Sequence, residues 1–213
     1  MNSVWSRRMF LLAPLALRGQ SWENLFDGVS TAGWMPVAGN EFPADCWCVA
    51  DGCLKSLVRR PTFQDIRTER EFGDFEFEFE WKIAAGGNGG VKYLVDKYDS
   101  WTPRGADRPH ARARGFEYQL TDDAMSAEAK RDPTRGTGSL YSKFAPVAPP
   151  LRPAGEFNTS RIVVRRPHCE HWLNGARVLT AEVPETAPKR SAIALQNHSS
   201  ECWFRSIRIR ELA

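Results

Sequence analysis

Two side chains in the run "GFEYQL", Glu117 and Gln119, are separated only by Tyr118, so on an extended chain they share one face. A carboxylate placed there can act as a general base or as a metal ligand, with an amide beside it to hold a polar ligand. Lys92 in "GGVKYLV" follows a glycine-rich turn and is flanked by apolar residues. That setting puts its ammonium on the polar face, where it could stabilise an anion as it develops. Glu80 is the acid of "DFEFEFEWKI" nearest the same glycines, and lies close to Lys92 if the two strands pair. Imidazoles at His171 in "EHWLNG" and His198 in "LQNHSS" can take or give a proton near neutral pH. Each also has a quieter reading. Lys92 could pair with Glu80, Glu117 with an arginine of "HARARG", and His171 could be a hydrogen-bonded histidine of a hairpin strand.

The elements that must position these groups are strands. Alternation with a period of two runs through "DCWCVADGCLKSLV", "DFEFEFEWKI", "GGVKYLV", "GFEYQL", "SRIVVRR", "CEHWLNGARVLTAEV", "SAIALQN" and "CWFRSIRIREL". Asp51-Gly52 and Asn174-Gly175 suit tight hairpin turns, because a type I′ turn needs positive φ at both central residues. "DDAMSAEAKRD" alone has helical composition and is too short for more than a loop helix. About ten strands without βα alternation predict an antiparallel sandwich or barrel. In "DFEFEFEWKI" the aromatics share one face and Glu76, Glu78, Glu80 and Lys82 the other, so the acidic row is either a wet face or the lining of a groove. "GGNGG" lacks the Lys-Ser/Thr ending of a phosphate loop, and no helix follows it.

Composition narrows the choice further. The chain has 213 residues, enough for one domain with a full core, and a formal charge of +3. Its basic residues are scattered, which argues against nucleic acid, and no apolar stretch is long enough to span a bilayer. The five cysteines, Cys46, Cys48, Cys53, Cys169 and Cys202, have no zinc-site spacing. They read as buried small hydrophobes, with one oxidised pair as the alternative. Arg7-Arg8 directly before the apolar run Met9 to Leu17 reads as an export signal resembling the twin-arginine type, with an ordinary N-terminal helix as the alternative. The expected organisation is therefore a signal over residues 1–20, then a single domain over 21–213 that works in the periplasm or outside the cell.

Several stretches in order resemble one family: "LFDG" with Gly33-Trp34, "DFEFEFEWKIAAGGNGGVKYLV", "EYQLTDD", "GSLY", "GEFNTSRIVV", "EHWLNG", "IALQNHSS" and "CWFRSIRIREL". Together they resemble the 3-keto-disaccharide hydrolase domain, also described as a 3-keto-glucoside lyase/hydratase. The resemblance implies an all-β, concanavalin A-like jelly roll of two antiparallel sheets, one of them concave and ligand-facing. It implies an oligosaccharide or glycoside substrate already oxidised at carbon 3, whose carbon-2 hydrogen a base can remove. Lys92, Glu117, His198 and His171 are then the expected catalytic groups. Glu80, Gln119, Asp122 and Trp101 are the expected sugar contacts, Asp122 because the family also has an acid there. Trp101 and Trp172 could stack on a pyranose face. A divalent metal is compatible with the resemblance, with Glu117, Asp122 and a histidine as ligands. The chain departs from the family after Asp122-Asp123, where some relatives carry a histidine and this sequence has Ser126 and Glu128. A non-catalytic carbohydrate-binding module, and an interaction domain with a flat apolar patch, are the other readings of the same fold.

Overall fold

The computed structural model describes residues 21–58, 63–102 and 109–212. The expected export signal, residues 1–20, lies outside them. Among the described residues, thirteen strands form two antiparallel sheets, the jelly-roll sandwich that the resemblance implied. The first five strands, β1 (Glu23–Asn24), β2 (Trp34–Pro36), β3 (Trp47–Ala50), β4 (Cys53–Ser56) and β5 (Ile66–Thr68), are short. The long ones follow: β6 (Phe75–Ile83), β7 (Asn88–Trp101) and β8 (His110–Thr121). A loop helix, α1 (Ala127–Arg131), precedes β9 (Asn158–Arg165), β10 (His168–Leu173), β11 (Ala176–Glu182), β12 (Ala194–Asn197) and β13 (Cys202–Glu211). One sheet runs β11-β10-β9-β6-β13-β4-β3 with β1 also on β13, and the other runs β2-β5-β12-β7-β8.

Strand β6 shows why the layers hold. Phe75, Phe77, Phe79, Trp81 and Ile83 all point inward and are at most 3% exposed. Each buried phenylalanine contributes roughly 1.5–3 kcal/mol. The alternate residues meet arginines of β13: Glu76 pairs with Arg210, Glu78 with Arg208 and Glu80 with Arg205. The acidic row is thus the outer face of the larger sheet, matched by a basic row opposite. Both hairpin turns have the expected form, with positive φ at Asp51 and Gly52 and at Asn174 and Gly175. α1 is the expected loop helix, and Ser126 caps it by accepting from the Ala129 N–H. All five cysteines are free thiols, and four of them are buried.

The sheets are joined by polar bonds as well as by packing. Trp81 Nε1 donates to Ser160 Oγ at 2.8 Å, Ser160 Oγ donates to Tyr118 Oη at 2.9 Å, and Tyr118 Oη donates to the Trp172 carbonyl at 3.1 Å. Tyr118 is the inward neighbour of both Glu117 and Gln119, so this chain of bonds anchors the strand that carries them.

Candidate active site

The outer face of the smaller sheet is hollowed into a cleft of about 330 Å³, built mainly by β7, β8 and β12. Lys92, Glu117, Gln119, His198 and Trp101 all line it, so five of the residues singled out in the sequence converge. Lys92 and Glu117 are direct cross-strand partners, as are Gly90 and Gln119. Gln196 of β12 and His198 just beyond that strand close the opposite wall.

An irregularity in the β7–β8 ladder explains how one strand contributes so much. Pairing shifts between Tyr93 and Lys97 of β7, which carries two more residues than β8 across this stretch. Leu94 adopts a left-handed φ of 50° there. Gly115 faces the bulge, and a Cβ on it would lie 2.6 Å from the Tyr93 carbonyl oxygen. From Glu117 to Arg114 is an odd number of steps, so the strand changes side. Glu117 and Gln119 line the cleft before the bulge, and His110, Arg112 and Arg114 line it after.

Beneath the cleft lies Asp65, fully buried at the start of β5. Its Oδ2 accepts from Lys92 Nζ at 2.9 Å and from the Ala113 N–H at 3.1 Å. Its Oδ1 accepts from the Asn197 N–H at 3.2 Å and lies 3.2 Å from His110 Nε2. Burial alone would raise this carboxyl, but the Lys92 ammonium and His110 outweigh it and hold it below the usual range. Glu117 differs. Burial pushes its pKa up to about 7, while Lys92 pulls the other way. Burial also lowers the His198 imidazole, helped by the neighbouring His110.

Three buried polar atoms around the cleft have no hydrogen-bond partner among the described residues: Gln119 Oε1, Gln196 Oε1 and His110 Nδ1. Unpaired buried polar atoms are costly in a folded protein. Trp101, 37% exposed, adds an aromatic surface at the rim.

Three expected site residues lie elsewhere. Glu80 belongs to β6 in the other sheet and bonds Arg205 at 2.6 Å, so the supposed pairing of its strand with that of Lys92 does not occur. His171 is fully buried between the sheets, its Nε2 2.8 Å from Tyr93 Oη and its Nδ1 2.9 Å from the Gly138 carbonyl. Burial lowers its pKa to about 4. It alternates with Cys169 and Leu173, which also point inward. Asp122 accepts from the N–H groups of Gly86 and Ala124 and so fastens a turn. The ligand set of Glu117, Asp122 and a histidine therefore does not assemble, and among the described residues no three His, Cys, Asp or Glu side chains gather to hold a metal ion.

Asp65 and His110 escaped the sequence reading. "HARAR" alternates as "EYQL" does, but with the opposite parity, and the bulge that reconciles the two runs leaves only the glycine of "RGF" as a trace. Asp65 in "TFQDIRT" resembles any acid preceding a short strand.

A jelly roll with an open polar cleft on one sheet defines the structural class. Within that class, the profile of the 3-keto-alpha-glucoside-1,2-lyase-like domain matches residues 21–210, and the chain belongs to this family. A Bacteroides thetaiotaomicron protein named 3-keto-disaccharide hydrolase is 27% identical over 235 residues, covering 93% of this chain and 81% of its own. A solved structure from Parabacteroides distasonis, provisionally described as a glycosyl hydrolase, superposes with a TM-score of 0.71 at 25% identity, covering 90% of this chain and 94% of its own. A Bacillus licheniformis beta-glucanase shares the fold at 12% identity with a TM-score of 0.55, covering 92% and 99%.

Proposed function

We propose that this protein cleaves glycosides bearing a ketone at carbon 3, by removal of the carbon-2 hydrogen and elimination of the glycosidic oxygen. The observation that carries the reading is the Lys92–Glu117 pair, a cation and a raised carboxyl facing one another in a single cleft. Family membership and the name of the Bacteroides thetaiotaomicron relative support the substrate class.

A ketone acidifies the neighbouring carbon–hydrogen bond, so the site needs a base and a positive group rather than two carboxylates flanking a glycosidic bond. Glu117 takes the carbon-2 proton. Lys92, fixed by Asp65, stabilises negative charge on the enolate oxygen. Gln119 and Gln196 accept from sugar hydroxyls, and Trp101 covers a ring face. The carbon-1 oxygen then departs, and water adds to the unsaturated ketone.

Incubation with 3-keto-trehalose and simple 3-keto-glucosides, following release of the alcohol, tests this. Turnover that falls sharply in Glu117→Gln is expected. No release across such a panel, with or without added Mn²⁺ or Ca²⁺, would defeat the proposal. Export is part of the same reading, supported by Arg7-Arg8 and the apolar run behind them. Arg7→Lys combined with Arg8→Lys should retain the protein in the cytoplasm, as fractionation would detect.

A further inference from the structure

We propose that His110, held by Asp65, is a second proton-transfer residue of the cleft, acting at the glycosidic oxygen while Glu117 acts at carbon 2. This rests on the elimination reading above. Asp65 is an acceptor throughout: Lys92 and two backbone N–H groups already donate to it, so the His110 Nε2 facing it at 3.2 Å must also carry a hydrogen. The ring is thereby oriented, and Nδ1 becomes its working nitrogen. Nδ1 has no hydrogen-bond partner among the described residues, although His110 is only 1% exposed and its side chain lines the cleft. Phe63 packs against the ring at 4.3 Å between centroids, and Trp101 lies 6.2 Å away on the cleft side. An imidazole fixed by a buried carboxylate, with its other nitrogen unpartnered on a side chain that lines the cleft, is suited to proton transfer.

Elimination needs a second proton carrier. As Glu117 accepts the carbon-2 proton, the carbon–hydrogen electron pair moves into the enolate. It then forms the carbon 1–carbon 2 double bond as the ketone is restored and the bond from carbon 1 to oxygen breaks. The departing oxygen takes a proton from Nδ1 of the imidazolium. In the return step water adds to carbon 1, giving its proton to Nδ1, and protonated Glu117 returns a proton to carbon 2. Both residues end as they began, and the sum is glycoside plus water to two free hydroxyl compounds.

The test compares the full-length protein with His110→Gln on 3-keto-glucosides carrying an alkyl or a 4-nitrophenyl group, in D₂O. Nitrophenolate leaves without protonation. Alkyl release should fall roughly 10²–10⁴-fold, with nitrophenyl release falling less than about tenfold and carbon-2 exchange retained. Equal loss on both substrates, or exchange falling together with cleavage, would overturn the assignment. If the variant does not fold, the unaltered protein decides: a shallow dependence of rate on leaving-group basicity supports assisted departure, and a steep one overturns it. A parent protein that neither exchanges carbon-2 hydrogen nor cleaves any 3-keto-glucoside sinks the elimination reading itself, and this inference with it.

Discussion

Gly90 lies directly under the Glu117 carboxyl: a Cβ at position 90 would stand 2.9 Å from Glu117 Oε1 and 3.1 Å from its Cγ. Strand β7 yields this space, and the acid lies over it. Gly90→Ala should therefore displace a flexible side chain rather than backbone. Its melting temperature should change little, while turnover of a 3-keto-glucoside falls roughly tenfold or more. Thermal melts paired with kcat measurements check it, and unchanged kcat would show that the Glu117 rotamer does not matter.

Burial places the Glu117 pKa at about 7, and a base must be ionised to work. The rate should rise with pH through that value and level off above it, with Glu117→Gln roughly 10²–10⁴-fold slower. Stability responds in the opposite sense. A carboxyl whose folded pKa is raised from 4.5 stabilises the fold below pH 4.5, and that contribution is lost as pH rises through about 7. Glu117→Gln should consequently gain melting temperature over the parent at pH 8 and not at pH 4.

His171 produces a different pH signature. Its pKa is depressed from 6.5 to about 4, so the neutral ring fits the core and the charged ring does not. Its stabilising contribution is present above pH 6.5 and is lost as pH falls toward 4. The difference of about 2.5 units corresponds to roughly 3 kcal/mol. Denaturant titrations between pH 7 and 4 should show a loss of that order, reduced in His171→Gln. An acid limb of equal steepness in the variant would assign the effect to other groups.

Gly115→Ala brings a methyl group within 2.6 Å of the Tyr93 carbonyl, a backbone atom that cannot swing aside. A cost of about 1–3 kcal/mol is expected, together with loss of activity as His110, Arg112 and Arg114 shift relative to Glu117. Chemical denaturation and kcat/KM measure the two effects.

Glu80→Gln serves as the control. Its partner Arg205 is half-buried on the far sheet, so stability should change by no more than about 1 kcal/mol and kcat/KM should not move. A tenfold fall in kcat/KM would return this acid to the site.

The sandwich was readable because its signals are local. Alternation in "FEFEFEWKI" and turn chemistry at Asn174-Gly175 each depend on a few neighbouring residues, and both survive into the structure. Alternation that continued unbroken made the cleft readable at Lys92 and along Glu117 and Gln119, while Trp101 and His198 were read from residue type and the family resemblance. Glu80 was misplaced because strand parity says which face a side chain takes but not which sheet its strand joins. His171 was misplaced because a polar residue on an inward face can be satisfied by Tyr93 and the Gly138 carbonyl. Asp65 depends on contacts with Lys92, His110 and Asn197, far away in sequence, which no local pattern encodes.

The two-residue excess in β7 has a bearing on how relatives are compared with this chain. Any alignment that crosses Leu94 to Asp96 without a gap, against a relative whose ladder runs straight, displaces every later position of the hairpin by two residues along the strand. His110 would then be matched to a residue two places along its strand and its correspondence lost. Superposition in space, anchored on the Lys92–Glu117 rung, avoids that error and shows which members of the family possess an equivalent imidazole.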